Sequence, residues 1–149
     1  MREELDNRLC TEYPKIFANR HGDMKETLMC WGFEHGDGWF NIINALCGNI
    51  QNHIDWQNER RERLLKDNPY NHKIPDEVQQ VVAVQVKEKF GTLRFYYDGG
   101  DDMIDGMVRM AESMSAVTCE ECGKPGKQSG GGWISTLCDE HHEQRMFGK

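Results

Sequence analysis

The sequence has no apolar run of about eighteen residues, so no membrane-spanning helix is expected. The opening residues, Met1-Arg2-Glu3-Glu4-Leu5-Asp6, lack the apolar stretch of a secretory leader. A cytoplasmic setting is the expectation that follows. No repeat or low-complexity segment is present. Positive charge is also in short supply, with 18 Lys and Arg against 25 Asp and Glu and a net charge of −7. Nonspecific nucleic-acid binding draws its free energy from Lys and Arg neutralising phosphates. That deficit excludes a general nucleic-acid coat, unless the basic residues gather on one face. An acidic chain does suit docking on a basic protein surface, as a nucleic-acid mimic would.

What is present fits one compact unit. The 149 residues are 38% apolar, enough to supply a core, and 29% charged. Six cysteines would frame a secreted disulfide scaffold, but no leader is expected and three of them stand at metal-ligand spacing. Thiolates in a reducing compartment are the better reading. Cys10, Cys30 and Cys47 lie among apolar residues and are expected to pack as small hydrophobes. A second metal site combining them with His21, His35 or His53 is the alternative.

Residues 2–12 read as a short helix with Leu5 and Leu9 on one face, stopped near Pro14. Ile16 and Phe17 anchor the chain, residues 18–27 read as loop, and the apolar stretch 28–33 is ambiguous between helix and strand. Gly36-Asp37-Gly38 reads as a turn in which Asp37 caps a long helix. Trp39, Ile43, Leu46, Ile50 and Ile54 recur at helical spacing along it. It is expected to continue through Glu59-Arg60-Arg61-Glu62-Arg63 as a solvated face with i,i+4 pairs. Asn68-Pro69 and Ile74-Pro75 mark a loop.

Residues 80–97 carry a hairpin signal, with Val82, Val84 and Val86 alternating and Leu93–Tyr97 returning. A Gly91-Thr92 loop suits a type II′ turn, which needs glycine first. That register opposes Lys89 to Arg94, Lys87 to Tyr96 and Glu88 to Phe95. Asp101 or Asp102 then caps a helix whose apolar stripe is Met103, Ile104, Met107, Val108, Ala111 and Met114. The stripe reads as core.

The most specific motif is Cys119-x-x-Cys122, fifteen residues, then Cys138-x-x-His141. Soft ligands in two pairs at this spacing point to a tetrahedral Zn²⁺ site in a treble-clef-like knuckle. Cys138 and His141 would lie on the first turn of a terminal helix, where free N–H groups favour thiolate. His142 could replace His141. A closed four-ligand site holds structure, whereas the metal-dependent nucleases built on this motif need an open metal. His35 and Asp37 are the residues that could complete such a site.

The hairpin carries the second chemical signal. Lys87, Lys89, Arg94 and Tyr96 fall on one face, opposite Glu88 and the apolar side chains. Like charges opposed across strands are destabilising, so this face calls for an anion. Either flanking carboxylates supply it, or a ligand does, with Arg94 gripping phosphate bidentately and Tyr96 stacking. Glu88, a carboxylate on an apolar face, is either ion-paired or a general base.

Three segments together, Val86-Lys87-Glu88-Lys89-Phe90-Gly91-Thr92-Leu93-Arg94-Phe95-Tyr96, Gly32–Trp39 and the Cys119…His141 ending with Gly132-Trp133-Ile134, resemble a family of small uncharacterised proteins of tailed bacteriophages and prophages. The resemblance spans roughly residues 10–142. It implies an accessory viral protein in a bacterial host's cytoplasm, of the kind that blocks host factors or sequesters signalling nucleotides.

The fold expected is α+β, with helices on a small antiparallel sheet in residues 1–117 and a zinc knuckle in residues 118–149 packed with it as one unit. The function expected is a non-enzymatic binding protein that counters host defence through the basic face or an acidic surface. The alternatives are a metal-dependent nuclease or phosphodiesterase using Glu88, His35 or Asp37, and a zinc-knuckle nucleic-acid binder using Lys124, Lys127 and Gln128.

Overall fold

A computed structural model describes residues 1–70 and 73–148 and shows an α+β fold. In order come α1 (Glu3–Glu12), β1 (Phe33–Glu34), α2 (Phe40–Asp67), β2 (Val82–Lys89), β3 (Thr92–Asp98), α3 (Asp102–Ser115), β4 (Lys127–Ser129), β5 (Ser135–Leu137) and α4 (Asp139–Phe147). The stretch 28–33 resolves into a 3-10 turn, Leu28–Trp31, followed by the start of β1. Asn68-Pro69 and Ile74-Pro75 lie outside regular structure; residues 71 and 72 of that loop lie outside the described residues.

The main sheet runs β1-β2-β3, with β1 parallel and β3 antiparallel to β2. Its register stacks Phe33, Val86 and Phe95 in one cross-strand row on the core side. All three are buried, along with Leu93, against Ile43, Leu46 and Ile50 of α2 and Leu5 and Leu9 of α1. Each such side chain contributes about 1.5–3 kcal/mol through apolar burial.

The hairpin turn differs from the expected one. Lys89 opposes Thr92, so the loop residues are Phe90 and Gly91. Both have positive φ, at 55° and 83°, which is the signature of a type I′ turn. The register is therefore displaced by two residues, and Lys87 opposes Arg94. Because side chains alternate with period two, this displacement leaves every residue near the tip on its expected face. A bulge between Ala83 and Gln85 undoes the alternation further back. Val81 and Ala83 are buried, while Val82 and Val84 are only half-buried.

Strand β3 is an edge strand, and α3 closes that edge. Ser115 Oγ accepts from Leu93 N at 2.8 Å and Glu112 Oε2 from Phe95 N at 2.9 Å, so amides that would face outward are satisfied. The cap of α3 is Asp101, whose Oδ1 accepts from Ile104 N at 3.0 Å while Oδ2 meets His53 Nε2 of α2 at 2.8 Å. Burial raises the Asp101 carboxyl, but the His53 and amide hydrogen bonds outweigh it and hold it below its ordinary value. The stripe is only partly core: Ile104, Val108 and Ala111 are buried and Met107 packs against them half-buried, whereas Met103 and Met114 are exposed. Among the described residues, Glu59-Arg60-Arg61-Glu62-Arg63 makes no i,i+4 ion pair. Arg60 instead lies over the Trp56 ring at 5.7 Å, and Arg61 donates to the Pro75 carbonyl at 3.1 Å.

Removing the Ser115 hydroxyl leaves the buried Leu93 amide without a partner. Ser115→Ala is expected to cost about 1–3 kcal/mol in urea unfolding. A change below a few tenths of a kcal/mol would show that the edge finds another acceptor.

Candidate metal centre and ribbon face

The knuckle forms because its backbone closes on itself. Cys119 N donates to Lys124 O at 2.7 Å and Gly123 N to Cys119 O at 2.9 Å, with Gly123 at φ 79°. The β4–β5 hairpin then returns the chain beside the knuckle, where Glu120 N donates to Thr136 O at 3.0 Å. Cys138 is the N-cap residue of α4, which places His141 on its first turn.

Cys119, Cys122, Cys138 and His141 offer four ligand atoms, all within 4.8 Å of one another, a grouping that could hold a metal ion. Cys122 Sγ lies 3.8 Å from Cys138 Sγ, and His141 Nδ1 lies 3.6 Å from Cys119 Sγ and 3.2 Å from Cys138 Sγ. A tetrahedral ion with bonds of about 2.3 Å to sulfur spaces its sulfur ligands about 3.8 Å apart, so the donor set fits one ion. Burial pushes the Cys119 thiol up, yet backbone amides of Cys138, Cys122 and Glu121 outweigh it and bring it down to about 7. His142 points elsewhere, with Nδ1 at 3.1 Å from Ser129 Oγ. The adjacent histidines are thus separated by the helical rotation between them. Cys10, Cys30 and Cys47 assemble no second metal cluster among the described residues. Cys10 meets Asp6, Cys30 donates to Thr27 O, and Cys47 is fully buried.

The segment Gly36–Trp39 docks on the knuckle. Gly38 N donates to Glu120 O at 2.7 Å, Gly36 N to Glu120 Oε2 at 2.9 Å, and Trp39 Nε1 to Thr118 O at 2.9 Å. A Cβ on Gly38 would fall well inside the Cys119 carbonyl oxygen, and one on Gly36 would lie 2.5 Å from Glu120 O. Close backbone approach, rather than chain reversal alone, is what these glycines allow. Asp37 does not cap α2: its carboxylate accepts from Arg2 N at 2.8 Å and faces the Arg2 guanidinium. The α2 N-cap is Trp39, which makes no side-chain cap.

Of the three carboxylate and imidazole candidates, Asp37 is held by Arg2 and Glu88 by its own turn. Glu88 Oε2 accepts from Gly91 N at 3.4 Å, across its own turn. His35 is buried near Phe33 and Trp39, with Nδ1 at 2.8 Å from Gly36 O and Nε2 without a partner. Burial drives its pKa down to about 4, against an opposing pull from the Gly36 carbonyl and Asp37; the Met1 amine lowers it further. None of the three joins a metal cluster among the described residues.

Lys87, Lys89, Arg94 and Tyr96 share the outer face of the β2–β3 ribbon. Among the described residues, no carboxylate forms an ion pair with Lys87, Lys89 or Arg94. Glu34 stands beside Lys87 in the register and accepts from Gln85 Nε2 at 3.2 Å. Arg94 Nε is buried without a hydrogen-bond partner. Beside it runs a groove of about 690 Å³ between β3 and α3, lined by Arg94, Tyr96 and Arg109 together with Asp102, Asp105 and Glu112. Two of those carboxylates already have work: Asp105 accepts from Tyr97 OH and Glu112 from Phe95 N.

Two features escape a reading of the sequence. Glu120 binds Gly36 across 84 residues, and Arg109 joins Arg94 only because α3 folds back along β3. No protein-family model, no curated protein and no solved structure matches the chain.

Because folded His35 refuses a proton until about pH 4, the unfolded chain takes one up first as pH falls below its ordinary value near 6.5. Stability is therefore expected to fall between those limits and level off below them. Relative to His35→Leu, the wild type should lose about 2–3 kcal/mol in urea unfolding between pH 7 and pH 4.5. Parallel pH profiles would show that His35 takes up its proton over the same pH range in the folded and unfolded chain.

Proposed function

We propose that the protein is a non-enzymatic binding protein, stapled by a structural Zn²⁺, whose ribbon face takes an anionic ligand of nucleotide type. Thiolate and imidazole donors at tetrahedral spacing suit zinc better than the hard cations, which prefer oxygen. Cys119, Cys122, Cys138 and His141 would hold the ion and, by filling its coordination, leave no open position for a reacting water. Bound there, zinc supplies a cross-link between the knuckle and α4. Glu88 is held by its own turn, Asp37 by Arg2, and His35 is buried, which favours binding over turnover.

The observation that carries the ligand reading is Arg94: its Nε is buried and unpartnered beside an open groove. Phosphate is the anion its planar fork matches bidentately. Lys87, directly opposite, adds charge, and Tyr96 adds a stacking surface. The wider setting, an accessory phage protein that blunts host defence, is supported by the resemblance of the three motifs. The acidic remainder of the chain also suits a basic host protein.

Isothermal titration with linear and cyclic nucleotides is expected to give binding that Arg94→Ala weakens tenfold or more, about 1.5–3 kcal/mol for a hydrogen bond to a charged group. Absence of heat with every nucleotide, or an unaffected variant, would refute the ligand reading. Zinc content by native mass spectrometry separates the two histidines. His141→Ala should lose the ion and melt at lower temperature, and His142→Ala should keep it. Retention of zinc by His141→Ala would overturn the ligand assignment.

A further inference from the structure

Phe90 is the exception in this fold that the anion face alone does not explain. It occupies the first position of a type I′ turn at φ 55°, where asparagine, aspartate or glycine is comfortable and an aromatic is strained. Burial does not compensate, since Phe90 is 67% exposed. A strained and solvent-facing aromatic is an outlier from which function can be inferred. Lys89 Nζ lies 5.7 Å from the centre of its ring, so the tip continues directly from the cationic face.

The β4–β5 loop meets this tip. Gln128 Nε2 donates to Phe90 O at 3.4 Å, and Thr136 Oγ1 donates to Gly91 O. A Cβ on Gly91 would lie 3.0 Å from Ile134 Cγ2. Next to Ile134 stands Trp133, 76% exposed at the end of Gly130-Gly131-Gly132. Two unburied aromatics, on separate loops, are thus fastened to one edge.

Charge collects on the same elements. Residues 87–96 and 123–137 hold Lys87, Lys89, Arg94, Lys124 and Lys127 against Glu88 alone, in a chain whose net charge is −7. Lys124 and Lys127 lie 4.0 and 3.7 Å from Glu140 and Asp139, between exposed side chains, where such pairs hold little free energy. Carboxylates border this surface, Glu34 beside Lys87 and Asp102, Asp105 and Glu112 in the groove beside Arg94, but among the described residues none forms an ion pair with Lys87, Lys89 or Arg94, so these three cations remain available to phosphate.

We infer that the ribbon and the loop beside it form a track for a short single strand of nucleic acid, with phosphates on Lys87, Lys89 and Arg94 and bases stacked on Tyr96, Phe90 and Trp133. This deepens the anion-face reading and rests on it. Aromatics interleaved with cations along one line are what sequence-tolerant single-strand binding uses. Side chains two apart on a strand repeat every ~7 Å, a spacing that an extended phosphate chain can follow. A mononucleotide is too short to reach from Tyr96, paired with Gln85, to the tip beyond Lys89. A bilayer could take up Phe90 and Trp133 but not the face running back from them to Tyr96. A flexible single strand can engage both.

The test uses the full-length, zinc-loaded protein and fluorescence anisotropy with an oligothymidylate of about twelve nucleotides, competed by thymidine monophosphate and by phosphatidylserine-containing vesicles. The oligomer should bind at least about tenfold more tightly than the monophosphate, with affinity falling as salt rises. Phe90→Asn and Trp133→Ala should each weaken the oligomer about tenfold. Phe90→Asn suits the turn better, so its melting temperature should be unchanged or raised, which separates a binding role from a structural one. Equal affinity for oligomer and monophosphate, or unaffected tip variants, would overturn the track while leaving the Arg94 anion site standing. Monophosphate binding that is absent from the wild type, or undiminished in Arg94→Ala, would instead sink the underlying anion site. Vesicle binding through Phe90 and Trp133 without oligomer binding would reassign the tip to lipid and overturn the inference.

Discussion

The constraint on which the rest depends is the near-contact of two backbones, Gly36–Trp39 and the Cys119–Gly123 knuckle. There is no room for a side chain between them, and Glu120 closes the seam by accepting the Gly38 amide on its carbonyl and the Gly36 amide on its carboxylate. On one side of the seam Trp39, fully buried, leads into α2 and the main core. On the other side stand Cys119 and Cys122 of the metal-ligand group. A metal ion held by Cys119, Cys122, Cys138 and His141 would thereby act on the packing of residues 1–117, and the division between the two stretches is one of chemistry more than of mechanics.

A second consequence of this arrangement concerns the edges of the sheet. Strand β3 would offer its amides to any passing strand, and α3 blocks it with a serine and a glutamate aimed at alternate positions. The helix is placed to do this by its own cap, Asp101, which His53 ties back to α2. Apolar packing sets where the elements lie. These few polar contacts determine which faces remain open, and the outer face of the ribbon is one that does.

Legibility in the sequence followed the range of the interaction. The Cys-x-x-Cys…Cys-x-x-His motif could be read because coordination dictates spacing locally, and the α+β class because the long helical period and the hairpin alternation are strong. The choice between His141 and His142 depended on the pitch of α4 and became visible only in three dimensions. The outer face of the ribbon was legible although its turn was not: a displacement of two residues preserves parity, whereas glycine-first turn chemistry pointed away from a phenylalanine in the left-handed region. The bulge was hidden because Val81, Val82, Ala83 and Val84 are all apolar, so the pattern cannot say which pair faces inward. Asp37 looked like a cap because helix-capping is a local rule, and its real partner, Arg2, is 35 residues distant.

Gly91 sits where the ribbon's free end would ordinarily fray. Its carbonyl is held by Thr136 and Ile134 stands where a Cβ would project from it, so the hairpin is pinned at the tip as well as at its base. A surface held at both ends has already lost the conformational freedom that a loop surrenders on meeting a ligand. A ligand that met this ribbon would find a preorganised surface, and little of the free energy of contact would be spent on ordering it.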